Sequence, residues 1–143
     1  MILDAHNLFS SAQAVTVPAI STNVIDLGLA GQNIGVGENI YLVVAVQTAL
    51  TGAGITTDVT LETDSTANLA TAPIVLATVG QFGAAAAAGS RFIIKLPIKS
   101  TNKQYMGIRY TTSGAGLTGG AFDAFLTKDV DAYTSYADNI TIS

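Results

Sequence analysis

The sequence predicts an all-β fold, a single-domain jelly-roll-like β-sandwich of about eight strands. Three observations carry the prediction. Ile40–Val46 is an unbroken apolar run, rich in β-branched side chains and too short to cross a bilayer as a helix. Thr57–Asp64 and Arg91–Pro97 alternate apolar and polar residues with the period of a strand. No convincing helical period occurs, and Gly-, Ser- and Thr-rich turn signals separate the apolar runs. At 143 residues the chain is read as one domain, 1–143. An immunoglobulin-like sandwich is the other β-sandwich weighed. The chain has no Cys and no Trp, so the signature of that fold is missing.

The elements follow in order. Met1–Ser11 reads as an N-terminal arm, apolar at Ile2, Leu3, Leu8 and Phe9 and polar between them. Ala14–Ile20 is expected to be an edge strand with Val15, Val17 and Ala19 on one side, because Pro18 cannot donate to a ladder. Asn23–Leu27 is a second strand with Ile25 and Leu27 sharing a face, and the glycines of Gly28–Gly37 mark a loop. The run in Asn39–Thr48 is the central strand, buried on both faces or covered on one by a partner. In Thr57–Asp64, Val59 and Leu61 face inward, while Asp58, Thr60, Glu62 and Asp64 are expected to face solvent. Ser65–Ala72 is a polar connection stopped by Pro73, and Ile74–Val79 is a further strand. Ala84–Ala88 is barely one helical turn, so Gln81–Ser90 is read as a loop. Phe92, Ile94 and Leu96 point inward in the next strand, as do Met106, Ile108 and Tyr110 in Tyr105–Thr112. Gly114–Gly120 is expected to be a hairpin connection. Gly120–Thr127 follows, with Phe122, Ala124 and Leu126 on one face, and residues 128–143 form a polar C-terminal tail.

Composition narrows the function classes. Six basic and ten acidic residues leave a net charge of −4, which argues against nucleic acid as a partner. The absence of Cys removes disulfides and thiolate metal sites. Met1-Ile2-Leu3-Asp4 lacks the basic start and apolar stretch of a secretion signal, so synthesis in a cytosol is expected, and no segment is read as spanning a membrane. Only 11% of residues are charged, against about 25% in an average soluble domain. A surface so poor in charge is expected to be covered in use by identical copies or by a larger structure.

No constellation of catalytic type stands out. His6 is the only histidine and is read as a surface or interface side chain. Same-face residues on a strand stand about 6.5–7 Å apart, so Asp58, Glu62 and Asp64 are expected to be separate solvated charges. Asp129-Val130-Asp131-Ala132-Tyr133 starts like a calcium loop but has Tyr133 and Thr134 where that loop needs an acidic or amide residue and Gly. The Gly-rich loops are not followed by a helix or a Lys-Ser/Thr pair, which excludes a phosphate-cradling loop. Tyr41, Tyr105, Tyr110, Tyr133 and Tyr136 are candidates for stacking on sugars or for packing. The chain is therefore expected to be no enzyme and to need no cofactor and no metal.

The opening Met1-Ile2-Leu3-Asp4, the stretch Phe9-Ser10-Ser11-Ala12-Gln13-Ala14-Val15-Thr16, then Ser21-Thr22-Asn23-Val24-Ile25-Asp26-Leu27-Gly28 and Ile34-Gly35-Val36-Gly37-Glu38 carry a resemblance. Together they resemble the capsid cement (decoration) proteins of tailed bacteriophages, the family typified by the cement protein of a Bordetella short-tailed phage. The likeness runs along the whole chain and is densest in residues 1–48. It implies a jelly roll on the outside of an icosahedral head, bridging major capsid proteins, with a homodimer across two-fold axes expected and a trimer as the other state. It also implies a location on the outer capsid surface of the virion after synthesis in the host bacterial cytoplasm. The family brings no enzymatic residues. Ile2, Leu3, Leu8 and Phe9 of the arm and Tyr133 and Tyr136 of the tail are the candidate interface. A jelly-roll receptor- or glycan-binding module of a phage fibre or spike is the alternative.

Overall fold

The computed structural model describes residues 4–29, 38–97, 103–114 and 116–130. Within these, nine strands form two antiparallel sheets: β1 (Leu8–Ala14), β2 (Ala19–Ile20), β3 (Ile25–Asp26), β4 (Tyr41–Thr51), β5 (Thr57–Asp64), β6 (Ile74–Phe82), β7 (Arg91–Lys95), β8 (Tyr105–Thr112) and β9 (Gly119–Thr127). The first sheet runs β1-β9-β4-β7 and the second β2-β8-β5-β6, with β3 also on β8. These two strand orders are those of a jelly roll, with β5 and β6 the one hairpin pair within a sheet. The nine strands fill eight positions, because β2 and β3 pair with two ends of the same edge of β8, at Arg109–Tyr110 and Tyr105–Met106. Ser21 closes the gap between them: its amide donates to the Ile108 carbonyl, and its hydroxyl accepts from the Ile108 amide.

The apolar run lies where its composition requires. β4 sits between β9 and β7. Leu42, Val44 and Val46 point into the sandwich, and Val43 and Ala45 on the opposite face are equally inaccessible. Phe125, opposite Val43 on β9, is also fully buried. The expected inward sets hold as well: Val59 and Leu61, Met106, Ile108 and Tyr110, and Phe122, Ala124 and Leu126 all join one core. Phe92 and Ile94 pack against its margin. Phe82, Phe92, Phe122 and Tyr110 form a chain of ring contacts across it, with centroids 4.7–5.4 Å apart.

Several expectations are corrected. The arm does not extend to Ser11. A 3-10 turn, Ala5–Asn7, whose first amides are capped by Asp4, leads directly into β1 at Leu8. Val15 and Val17 do not share a face: β1 ends at Ala14, Val15 enters the core, and Val17 is 60% exposed. The Gly114–Gly120 connection is not a hairpin, because β8 and β9 belong to different sheets and it crosses between them. There Gly116 has a positive φ of 91° and lies so close to the Thr16 carbonyl that a Cβ would collide with it. Of the expected loop Gln81–Ser90, Gln81 and Phe82 belong to β6 instead; 83–90 is a loop without a helix, and its backbone bonds the β4 residues Val46 and Leu50.

Three of the four sheet edges are interrupted, and the fourth is short. β1 has two register shifts and a left-handed Ala12 with φ 46°. The β2/β3 edge is two short pieces. β6 carries bulges at Leu76 and at Val79, set by its register on β5. β7 is five residues long with Arg91 and Lys95 at its ends.

Candidate interaction surface and buried polar clusters

Of the residues expected at an interface, only two lie among those described. Phe9 is 0% exposed and belongs to the core, so it is withdrawn as an outward contact. Leu8, its neighbour, is half-buried and lies opposite Phe125 on the other face of the sheet. A strand sends successive side chains to opposite faces, which separates this pair. Ile2, Leu3, Tyr133 and Tyr136 lie outside the described residues. His6 is exposed on the 3-10 turn.

Three hollows line one end of the sandwich. One of about 450 Å³ lies between the 3-10 turn, Leu8 and Asn23–Asp26. A smaller one of about 140 Å³ adjoins it at Ile25 and reaches Ile40, Leu126 and Lys128. A third, of about 320 Å³, lies between Tyr41, Ile93 and Lys128–Val130. Tyr41 and Tyr105 are half-buried and Tyr110 is fully buried, so none of the described tyrosines is an open stacking platform. Lys128 also pairs with Glu38, a contact between two exposed side chains that adds little stability.

The carboxylates of β5 depart furthest from expectation. Asp58 is exposed, but Glu62 and Asp64 are buried, which corrects the solvent-facing reading of that strand. The physical reason is the connection that follows, which folds back over this end of the sheet and covers both. Asp64 accepts the backbone amides of Ser65 at 2.7 Å, Thr71 at 2.9 Å and Ala72 at 3.2 Å, and the Thr66 hydroxyl at 3.3 Å. Lys103 stands 3.7 Å away. Burial alone would raise the Asp64 carboxyl, but these donors outweigh it and hold it below the ordinary aspartate value. Glu62 accepts from Arg109 Nε at 2.8 Å and from the Thr60 hydroxyl at 3.1 Å. Arg109 also donates to the Leu69 carbonyl at 2.6 Å. Both carboxylates are thus saturated with donors and act as structural anchors. Among the described residues no group of three or more His, Cys, Asp or Glu converges on one point.

A second polar cluster, which sequence patterning did not reveal, lies between the sheets. The Ser10 hydroxyl donates to Gln13 Oε1 at 2.7 Å and shares a 2.9 Å hydrogen bond with the Tyr110 hydroxyl. Gln13 in turn donates to the Ile20 carbonyl and accepts the Thr22 amide. Burial pushes the Tyr110 hydroxyl well above the ordinary tyrosine value; Ser10 works against this and the charge of Asp123 adds to it. The one available signal was the alternation that places Tyr110 inward, which requires a partner for its hydroxyl.

The family model described as Bbp16 matches residues 9–126, from the start of β1 to the last residues of β9. No curated protein matches the chain.

Proposed function

The chain belongs to the Bbp16 family, a family of Bordetella phage proteins, and on that premise we propose that it is a structural virion protein. It binds the outside of an icosahedral head and ties neighbouring major capsid proteins together, without catalysis. It does so as a homodimer, on the outer capsid surface, after synthesis in the host cytoplasm. The observation that supports this reading best is the family match itself, which spans every strand of the sandwich. The charge-poor composition fits a surface that is covered in use. The mechanism needs no chemistry. A protein that binds only the expanded lattice stabilises that lattice by linkage, and contacts to two or more subunits lengthen residence.

The test is sedimentation of the purified protein with expanded and unexpanded heads that lack it. Saturable co-sedimentation with expanded heads alone is expected, and cryo-electron microscopy of the product places the copies. Absence of binding to either form overturns the proposal. A signal on a glycan array in its place supports the receptor-binding alternative.

A further inference from the structure

The connection between β5 and β6 is closed by a small number of ties, at both its ends on Asp64 and at its middle on Leu69. Between Ser65 and Pro73 only Leu69 is buried. Its side chain lies over Gly107 of β8, where an added Cβ would stand 2.9 Å from Leu69 Cδ1 and 2.9 Å from Val24 Cγ1. The segment carries its own internal bonds, Leu69 amide to Thr66 carbonyl and Ala70 amide to Asn68 Oδ1, so it has a shape of its own. Two features oppose each other. Leu69 has a left-handed φ of 48°, which strains a branched residue. Against that strain stand the amides gathered on Asp64, the Arg109 bond to the Leu69 carbonyl and the Lys103 bond to the Ala72 carbonyl.

We infer that Ser65–Pro73 is a latched flap, with the Asp64 carboxylate as its latch, and that protonation of Asp64 releases the segment as a unit from the outer face of the second sheet. Release uncovers the seat that Val24 and Gly107 form for Leu69. The amides of Ser65, Thr71 and Ala72 are shared between the two carboxylate oxygens, so a proton on either oxygen sets an O–H against the amides there and removes the charge that strengthens the bonds to the other. The charged and titratable groups around it are Glu62 of β5, Tyr105 and Arg109 of β8, Lys103 just before β8, and Asp26 of β3 opposite Tyr105. The flap itself and β6 contribute none, because residues 65–90 contain no charged or histidine side chain. The latched carboxyl lies below its ordinary value, so the latch is complete above the ordinary aspartate range and weakens as pH falls through it.

Amide hydrogen exchange against pH tests this. Protection at Thr71 and Ala72 is expected to be level from neutral pH down to about 4, then to fall by up to about tenfold per pH unit, while Val44 and Leu61 stay protected. Asp64→Asn is expected to cut protection at Thr71 and Ala72 at least about tenfold at pH 7 and to abolish the pH slope. Gly107→Ala, which unseats Leu69 but spares the carboxylate, lowers protection and keeps the slope; Glu62→Gln keeps the slope too. If Thr71 and Ala72 lose protection only together with Val44 and Leu61, or hold it unchanged in Asp64→Asn, the inference is overturned. Should Asp64→Asn not fold, the pH series on the unaltered chain decides by itself.

Discussion

The hydroxyls of Ser10 and Tyr110 meet at 2.9 Å inside the sandwich, joining the first strand of one sheet to the centre of the other. The two ends of this bond are not equivalent. Ser10 keeps Gln13 when the tyrosine hydroxyl is removed, whereas the Tyr110 hydroxyl is held by Ser10. Tyr110→Phe is therefore expected to cost about 1 kcal/mol, and Ser10→Ala, which leaves a buried hydroxyl without a partner, about 1–3 kcal/mol. Urea titration ranks the two; a larger loss in Tyr110→Phe refutes the asymmetry.

The same tyrosine gives a pH dependence. Its pKa is raised by burial, so its contribution is complete below the unfolded value of about 10 and is lost as pH rises above it. The unaltered protein is expected to lose stability relative to Tyr110→Phe above pH 10, by at most about 1.36 kcal/mol per pH unit. Denaturation at pH 8, 10 and 11 measures it. A constant difference across that range contradicts the assignment.

Thr57 and Thr112 face each other on β5 and β8, and both hydroxyls are buried without a hydrogen-bond partner. Their neighbours two residues along, Val59 and Tyr110, point into the core, so these hydroxyls do too. Replacing both with Val keeps the shape and removes the unmet polar groups. The double variant is expected to gain up to about 1 kcal/mol, seen as a higher urea midpoint at unchanged slope. A lower midpoint shows that the hydroxyls do have a partner.

Gly80 on β6 lies against the Phe92 ring, where a Cβ would stand 2.8 Å from two ring atoms. Phe92 is in turn held by Phe82, with centroids 4.7 Å apart. Gly80→Ala must therefore push an aromatic ring that has little room, at a cost of about 1–3 kcal/mol. A melting temperature equal to that of the unaltered chain disproves the close packing.

The N-terminal residues divide at Leu8. Removing residues 1–7 takes away the exposed 3-10 turn and is expected to leave thermal stability nearly intact. Removing residues 1–10 deletes the core residue Phe9 and the buried Ser10, at a cost of about 3–5 kcal/mol for the aromatic ring alone. Equal melting temperatures for the two truncations would return Phe9 to the surface.

What the sequence made legible was the pattern that period alone determines. Ile40–Val46 reads as a strand covered on both faces because the run is apolar on both, and Phe92, Ile94, Phe122 and Leu126 announce their faces by alternation. Phe9 and the pair Glu62 and Asp64 were misread for a shared reason. A short period assigns a side chain to one side of a strand but does not say what lies on that side. The segment that buries Asp64 is brought there by its own backbone amides, and amides are the same in every sequence. The Gly114–Gly120 connection was misread because turn residues mark a change of direction without saying which sheet receives the next strand.

The broken or short sheet edges have a consequence for how copies can gather. A charge-poor chain with long, straight, open edges would template its own copies strand upon strand into fibres of unlimited length. Here Ala12, the Leu76 and Val79 bulges and the split edge on β8 each break the register such growth requires, and β7, though regular, is only five residues long with a charge at each end. Copies crowded together are left to meet through loops and faces rather than by adding strand to strand. In a chain with so few charges, backbone geometry carries much of the protection against strand-upon-strand growth.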